Sequence, residues 1–337
     1  MALYILRRIA LALPALFGLI LVTFILSRVV PGDPAATLAG DAATPAQIAD
    51  IRARYGLDKP LLEQAFVHVR QVLSGDLGNS VFSGRPVSEE ILQRLPATLE
   101  LTFVALFFAT IIGVVLGLIA ALDHNGPIDH LVRIVSVGGL AVASFWLAIM
   151  LQLQFSMEWD ILPLRGRMDV ALGLPPRITG FLLIDSLAAG RFDMFVDALR
   201  HLVLPAVTLA LPGLATIARF TRSGVLEALQ KDYVLYARAA GYGRVRLAAI
   251  YVLRNAITVT VTQVGLLFGA LISGAVAIEA VFDWPGLGTY AVQAILSADY
   301  KALLAVTLVV GVVYAVVNVL VDVAQALIDP RVAEQIS

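Results

Sequence analysis

The sequence predicts an all-α integral membrane protein: six transmembrane helices, a folded outer cap after the first, and a short cytoplasmic helix between the fourth and fifth. Three observations predict it. Of 337 residues, 59% are hydrophobic and only 15% charged, against roughly 25% charged in soluble domains. Six stretches carry no Asp, Glu, Lys or Arg. The basic residues concentrate in one loop, 219–254. A core of this length cannot bury so much apolar surface, so lipid is the solvent for much of it.

The charge-free stretches are 9–27, 101–122, 134–157, 202–218, 255–278 and 302–321. The first follows Arg7 and Arg8 and continues for about 20 residues, one bilayer width at 1.5 Å per residue. A cleaved leader has a shorter apolar core and a small-residue cleavage site, so this segment reads as a retained span. The fourth stretch is short and holds Pro205 and Pro212, which predicts a kink or the borrowing of flanking residues. Residues 1–30 thus form the N-terminus and first helix, 31–95 the outer cap, and 96–337 a membrane core containing the 219–254 loop.

Within the cap, Thr44-Pro45-Ala46-Gln47 combines an N-cap, a proline at the first helical position and a capping-box glutamine. A short helix should run from there to about Tyr55 and stop at Gly56. Ser88-Glu89-Glu90 starts another that leads into Pro96 and the second span. PGDP at 31–34 and SGDLGNS at 74–80 are turn sequences.

Basic residues in short loops mark the cytoplasmic side. Arg219, Arg222, Lys231, Arg238, Arg244, Arg246 and Arg254 outnumber Glu227 and Asp232 in the 219–254 loop. With six spans, that places both termini in the cytoplasm. The 158–200 loop, with five arginines, runs mildly against the rule.

Composition and motifs also exclude functions. With no cysteine, disulfides, thiolate catalysis and Cys-based metal sites are out. His68, His124, His130 and His201 offer no pair spaced for a metal on one helical face, and no nucleophile–base set is present. No G-x-x-x-x-G-K-[ST] occurs, so the chain has no P-loop for ATP. Charge-free spans argue against an ion-coupled secondary transporter or a channel, which need mid-membrane carboxylates or a filter loop.

The stretch DYVLYARAAGYGRVRLAAIYVLRNA, 232–256, is basic and non-spanning. A helix that ends near Gly241 can do so with a left-handed glycine, and a second helix should start near Val245. Ala237-x-x-x-Gly241 followed by Tyr251-Val252-Leu253 resembles the "EAA" loop of ABC-importer permeases. Leu235, Tyr236 and Arg254 stand where that loop usually has Glu, Ala and Pro. These departures resemble the dipeptide/oligopeptide/nickel branch of the family. LRR near the start, PGDP, GLDKP at 56–60, GDLGNS at 75–80, PATLEL at 96–101, GFLLID at 180–185, TRSGVLEAL at 221–229, EAVFDWPGLG at 279–288 and DPR at 329–331 occur in the branch's order. The length and GFLLID are most similar to its dipeptide permeases.

The resemblance implies the type I ABC-importer permease fold and a bacterial inner-membrane location. It implies a second, homologous permease subunit, one or two ATPase subunits that use ATP and Mg, and an extracytoplasmic solute-binding protein. The surroundings are the lipid bilayer, with no nucleic acid and no cofactor bound by this chain. Dipeptides or short peptides are the implied cargo; nickel chelates, glutathione or another peptide-like solute are the alternatives. Asp232, Tyr233, Ala237, Arg238, Gly241 and Arg244 are the expected ATPase contacts. Ala237 and Gly241 would act by close approach, and Arg238 and Arg244 by pairing with acidic groups.

A few ionisable groups border the spans. Glu279 ends the fifth before Phe282-Asp283-Trp284-Pro285-Gly286, a rigid Pro-Gly corner. Glu279, Trp284, Pro285 and Gly286 are candidates for an outer gate, with an interfacial cap (Glu279) and a membrane-interface anchor (Trp284) as the plainer readings. Glu100 reads as interfacial, and Asp322 as structural, paired with an arginine of the 219–254 loop.

Overall fold

The computed structural model describes residues 2–29, 44–54, 58–243, 247 and 253–328. PGDP, the DPR segment, Arg244 and the start of a helix near Val245 lie outside the described residues. Twelve α-helices are described, with no strand among the described residues: α1 Ala2–Val29, α2 Pro45–Arg54, α3 Leu61–Leu73, α4 Val87–Leu122, α5 Pro127–Ala141, α6 Ser144–Leu151, α7 Leu182–Ala188, α8 Phe192–Leu229, α9 Asp232–Ala239, α10 Leu253–Phe282, α11 Leu287–Leu296 and α12 Tyr300–Ile328.

Among the described residues, five helical stretches are long and apolar enough to cross a membrane: Leu6–Ser27, Val87–Leu122, Phe192–Leu229, Thr260–Phe282 and Tyr300–Leu327. The third charge-free stretch differs from expectation. It is not one straight helix: α5 and α6 with its continuation to Glu158 meet at a bend of 100°. Val142 and Ala143 are extended there. Both residues at the break are apolar, so a run of hydropathy passes over it. A π-helical turn, Gln152–Glu158, follows α6. Gln152 Nε2 donates to Leu164 O at 2.8 Å and to Val281 O at 3.2 Å.

The fourth stretch borrows its flanks. α8 runs unbroken for 38 residues with Pro205 and Pro212 inside it. A helix proline removes one N–H and frees the carbonyl four residues back. Hydroxyls bond backbone oxygens of the same turns: Thr208 Oγ1 donates to Leu204 O at 2.7 Å and Thr216 Oγ1 to Pro212 O at 2.9 Å. Neighbouring helices and Ser/Thr side chains are what keep such segments helical in lipid.

The chain divides into two compact units. The first comprises Met1–Arg8, Pro96–Thr289 and Val316–Ser337. Its core is built on α8, packed against α10, with Leu101, Leu209, Ile217, Leu271, Ile278, Phe282 and Trp284 buried together. Small residues let backbones meet, as in membrane bundles generally. A Cβ on Gly117 would stand 2.5 Å from Ala218 O, one on Gly213 2.7 Å from Leu267, and one on Gly265 2.8 Å from Val321.

The second unit comprises Ile9–Leu95 and Tyr290–Ala315. Thr44 and Gln47 form the reciprocal capping box at the start of α2: Thr44 N donates to Gln47 Oε1 at 2.8 Å, and Gln47 N to Thr44 Oγ1 at 3.4 Å. Asp299 caps α12, accepting from Ala302 N at 3.2 Å. Its other oxygen takes Ser80 Oγ at 2.5 Å and Val81 N at 2.8 Å. Gly75 and Gly78 turn the SGDLGNS segment with φ of 79° and 78°.

GFLLID runs from a tight turn into the first residues of α7. Asp185 is buried and accepts from Thr179 N at 2.8 Å, Thr179 Oγ1 at 2.7 Å and Gly180 N at 2.9 Å. Burial alone would raise its pKa. The hydrogen bonds from Thr179 and Gly180 outweigh burial and hold it below the ordinary carboxylate value. A depressed folded pKa contributes stability that is full above the unfolded value, about 4. That stability is lost as pH falls through the folded value. Amide protection at Thr179 and Gly180 should therefore drop on acidification below about pH 4, and Asp185→Asn should flatten that dependence. Hydrogen exchange that is equally acid-sensitive in the variant would contradict the assignment.

Candidate functional site

Two constellations carry the chain's candidate residues. The first is α9 and its exit. Lys231 precedes the helix in extended conformation and Asp232 opens it, an acidic group at the positive end of the helix dipole. Val234 and Ala237 face inward, packed with Ala121, Val225, Ala228 and Leu247. The expectation that Ala237 meets another protein by close approach is thus corrected. It lies on the inward stripe of α9, one turn from Val234, and is 5% exposed. The outward face carries Asp232, Tyr233, Leu235, Tyr236 and Arg238, all exposed.

Helix α9 ends in a Schellman motif: Gly241 N donates to Arg238 O at 3.0 Å and Tyr242 N to Ala237 O at 3.2 Å. Gly241 has φ +80°. A Cβ there would meet nothing within 4 Å. Gly241 therefore serves the turn by its conformation and presents open backbone outward. A short helix whose inner stripe is locked onto the chain and whose outer face is apolar, aromatic and basic can transmit a push on that face to α8.

The base of α8 is itself clamped. Asp129 at the start of α5 is fully buried and takes Arg222 Nε at 2.5 Å, Arg222 Nη2 at 2.8 Å and Arg133 Nη2 at 3.2 Å. It also accepts from Asn125 N at 3.0 Å. Sequence reading missed this pair, because its partners are 93 residues apart. Arg222 lies within TRSGVLEAL, which was the available signal.

The second constellation is the corner after α10. Glu279 is fully buried. Its Oε1 accepts from Thr98 Oγ1 at 2.6 Å; its Oε2 accepts from Gly288 N at 2.7 Å and Thr289 N at 3.1 Å. Thr98 Oγ1 in turn accepts from Leu287 N at 2.7 Å. The carboxyl is thus an internal anchor for the loop. Gly286 leaves room for it: a Cβ there would run into Glu279 Oε1, and one on Gly288 would stand 2.5 Å from Val276 Cα.

Trp284 is 1% exposed and donates Nε1–H to Ala97 O at 2.9 Å. It is a core residue, which corrects its reading as a membrane-interface anchor. Pro285 is exposed beside it. Glu100 also departs from expectation: it is 4% exposed, paired with Arg167, and accepts from Leu183 N at 2.8 Å. The Arg167 guanidinium lies 5.5 Å from the Trp284 ring centre, within cation–π reach. Asp322 pairs with Arg8 at 3.3 Å. Basic flank and last span meet because Met1–Arg8 packs in the same unit as Val316–Ser337.

Comparison with known proteins gives consistent matches. Residues 113–334 match the family described as binding-protein-dependent transport system inner membrane component, and residues 1–102 match its N-terminal companion. A "Probable D,D-dipeptide transport system permease protein" of Escherichia coli K12 is 44% identical over 94% of this chain and 93% of its own length. A di/tripeptide transport system permease protein of Pseudomonas aeruginosa UCBPP-PA14 is 40% identical over 98% and 99%. A dipeptide transport system permease protein of E. coli K12 is 39% identical over 98% of each.

Proposed function

The chain belongs to the binding-protein-dependent transport system inner membrane component family, and from that premise we propose that it is one of two similar permease subunits enclosing an uptake pathway for dipeptides. As a member it is a permease of an ABC importer. The peptide cargo is carried over from the relatives' names. Separate ATPase subunits, one kind or two, bind at the outward face of α9 and supply the energy from ATP and Mg. A solute-binding protein delivers the peptide at the opposite face, where residues 31–95 form the cap. Both chain termini face the cytoplasm, the side marked by the basic 219–254 loop.

The observation that carries this reading is the exposed stripe Tyr233, Leu235, Tyr236 and Arg238 on a helix anchored from behind by Val234 and Ala237. Leu235 is 55% and Tyr236 78% exposed. Beside a basic, non-spanning loop, such side chains suit a protein groove. Aromatic and arginine side chains are the usual anchors of such contacts.

The test is co-purification of the ATPases with this chain from detergent. Tyr236→Ser combined with Leu235→Ser should reduce the retained ATPase by tenfold or more, about 1.4 kcal/mol or above, while the chain stays in the membrane at its usual level. Full ATPase retention by that variant would remove α9 as the docking element.

A further inference from the structure

Helix α3 of the cap is apolar along one side, yet none of its residues is buried within the chain. Leu62, Phe66, Val69 and Leu73 stand at i, i+4, i+7 and i+11, the spacing of one helical stripe. Leu62 is 87%, Phe66 70% and Leu73 76% exposed. Glu63, Gln64, Arg70 and Gln71 gather away from that stripe, with Val67 the one apolar residue among them. An apolar stripe left open in this way marks a surface that something else covers.

The place of α3 says what covers it. The span Leu6–Ser27 within α1 has 22 residues, about 33 Å at 1.5 Å per residue, close to the ~30 Å of a bilayer's hydrocarbon core. Its last turn therefore lies at the boundary between acyl chains and headgroups. Phe24 belongs to that turn, and its ring centre lies 5.7 Å from that of His68, midway along α3. Val22, Ile25 and Leu26 beside Phe24 stay exposed, the surface a span presents to lipid. The open stripe of α3 thus adjoins a lipid-facing surface at the bilayer's edge.

The chain that follows α3 is tied to the same level independently. Asp299 immediately precedes the last span, Tyr300–Leu327. Its Oδ2 accepts from Ser80 Oγ at 2.5 Å and Val81 N at 2.8 Å. Segment 74–82 is thereby fixed to the mouth of that span, and α3, which leads into it, is held at the bilayer edge from two sides. All of these residues lie within the second unit.

We propose that α3 is an interfacial helix, with Leu62, Phe66 and Leu73 sunk into the phospholipid leaflet on the cap side and Glu63 and Arg70 in water. Amphipathic helices in that setting bury their apolar face about 5–10 Å into the headgroup–acyl boundary. Lys59 pairs with Glu63 at 2.8 Å, so charge around the helix is nearly balanced and apolar burial, rather than headgroup charge, drives the contact. The helix then braces the cap against the membrane plane. The inference rests on α1 and α12 crossing the bilayer and is independent of the cargo.

The test uses the absence of cysteine from this chain, which lets one introduced thiol carry a nitroxide label. Phe66→Cys, Leu73→Cys and Arg70→Cys are each labelled in the complete transporter in phosphatidylcholine nanodiscs. The unsubstituted complex gives the background from partner cysteines. Relaxation of the label by oxygen, which concentrates in lipid, is compared with relaxation by a water-soluble nickel chelate. The ratio of the two effects should be severalfold higher at positions 66 and 73 than at position 70.

Equal ratios at the three positions would put the stripe in water and overturn the proposal. Exclusion of both reagents from 66 and 73 also overturns it, because the stripe would then be covered by protein, such as the second permease subunit. A high ratio that collapses when the solute-binding protein is added overturns it as well and makes α3 that protein's docking face.

Discussion

Gly241→Trp is expected to abolish solute uptake while leaving the chain inserted in the membrane at its usual level. The glycine stands at φ +80°, and its missing side chain would point into open space within this chain. Within the chain, a Cβ at 241 therefore costs only backbone strain, about 1–2 kcal/mol. An effect of Trp well beyond that of Ala is expected where another protein meets the exposed turn. A graded series separates the two. Gly241→Asn, small and tolerant of the left-handed region, should keep most uptake. Gly241→Ala, which carries the strain without the bulk, should lose part of it. Uptake lost equally in the Ala and Trp variants would assign the glycine to local folding alone. Normal uptake by the Trp variant would remove the coupling role of α9.

The second large effect falls on Glu279→Ala. That substitution strips the acceptor from Thr98 Oγ1, Gly288 N and Thr289 N, all within the buried corner. Each buried donor left without a partner costs about 1–3 kcal/mol, and the cavity left behind adds to it. A combined loss of about 3–5 kcal/mol is expected, read as a lowered unfolding temperature of the detergent-solubilised chain and lost uptake. Glu279→Gln keeps the shape and one acceptor oxygen, but it puts an amide NH2 where a hydroxyl now donates or replaces the acceptor for Gly288 and Thr289. Its stability should lie between wild type and the Ala variant. An Ala variant as stable as wild type would show that the corner holds itself without the carboxyl.

What could be read from the sequence was whatever sits in short windows. The capping box at Thr44–Gln47, the basic stretch that became α9 and five of the spans follow from local pattern. The charge-free run within α8 is bounded by Arg200 and Arg219, yet both, and Arg222 beyond them, lie within the helix. Arg222 can do so because Asp129 neutralises it, and nothing near Arg222 in sequence announces that partner. The same reason hid Glu100–Arg167 and Arg8–Asp322. Ion pairs across a membrane bundle join residues that only tertiary packing brings together. The 100° break between α5 and α6 stayed hidden because it falls between two apolar residues, where hydropathy is blind. Burial of Trp284 depends on the indole reaching Ala97 O, and composition cannot distinguish that from an interface tryptophan.

The most direct test of the whole account is uptake of a labelled dipeptide by cells with and without this chain, with labelled nickel measured in parallel. Dipeptide uptake should depend on the chain and on ATP, and nickel uptake should be the same in both. Dipeptide uptake that is unchanged when the chain is removed, in cells without a second peptide importer, would contradict it.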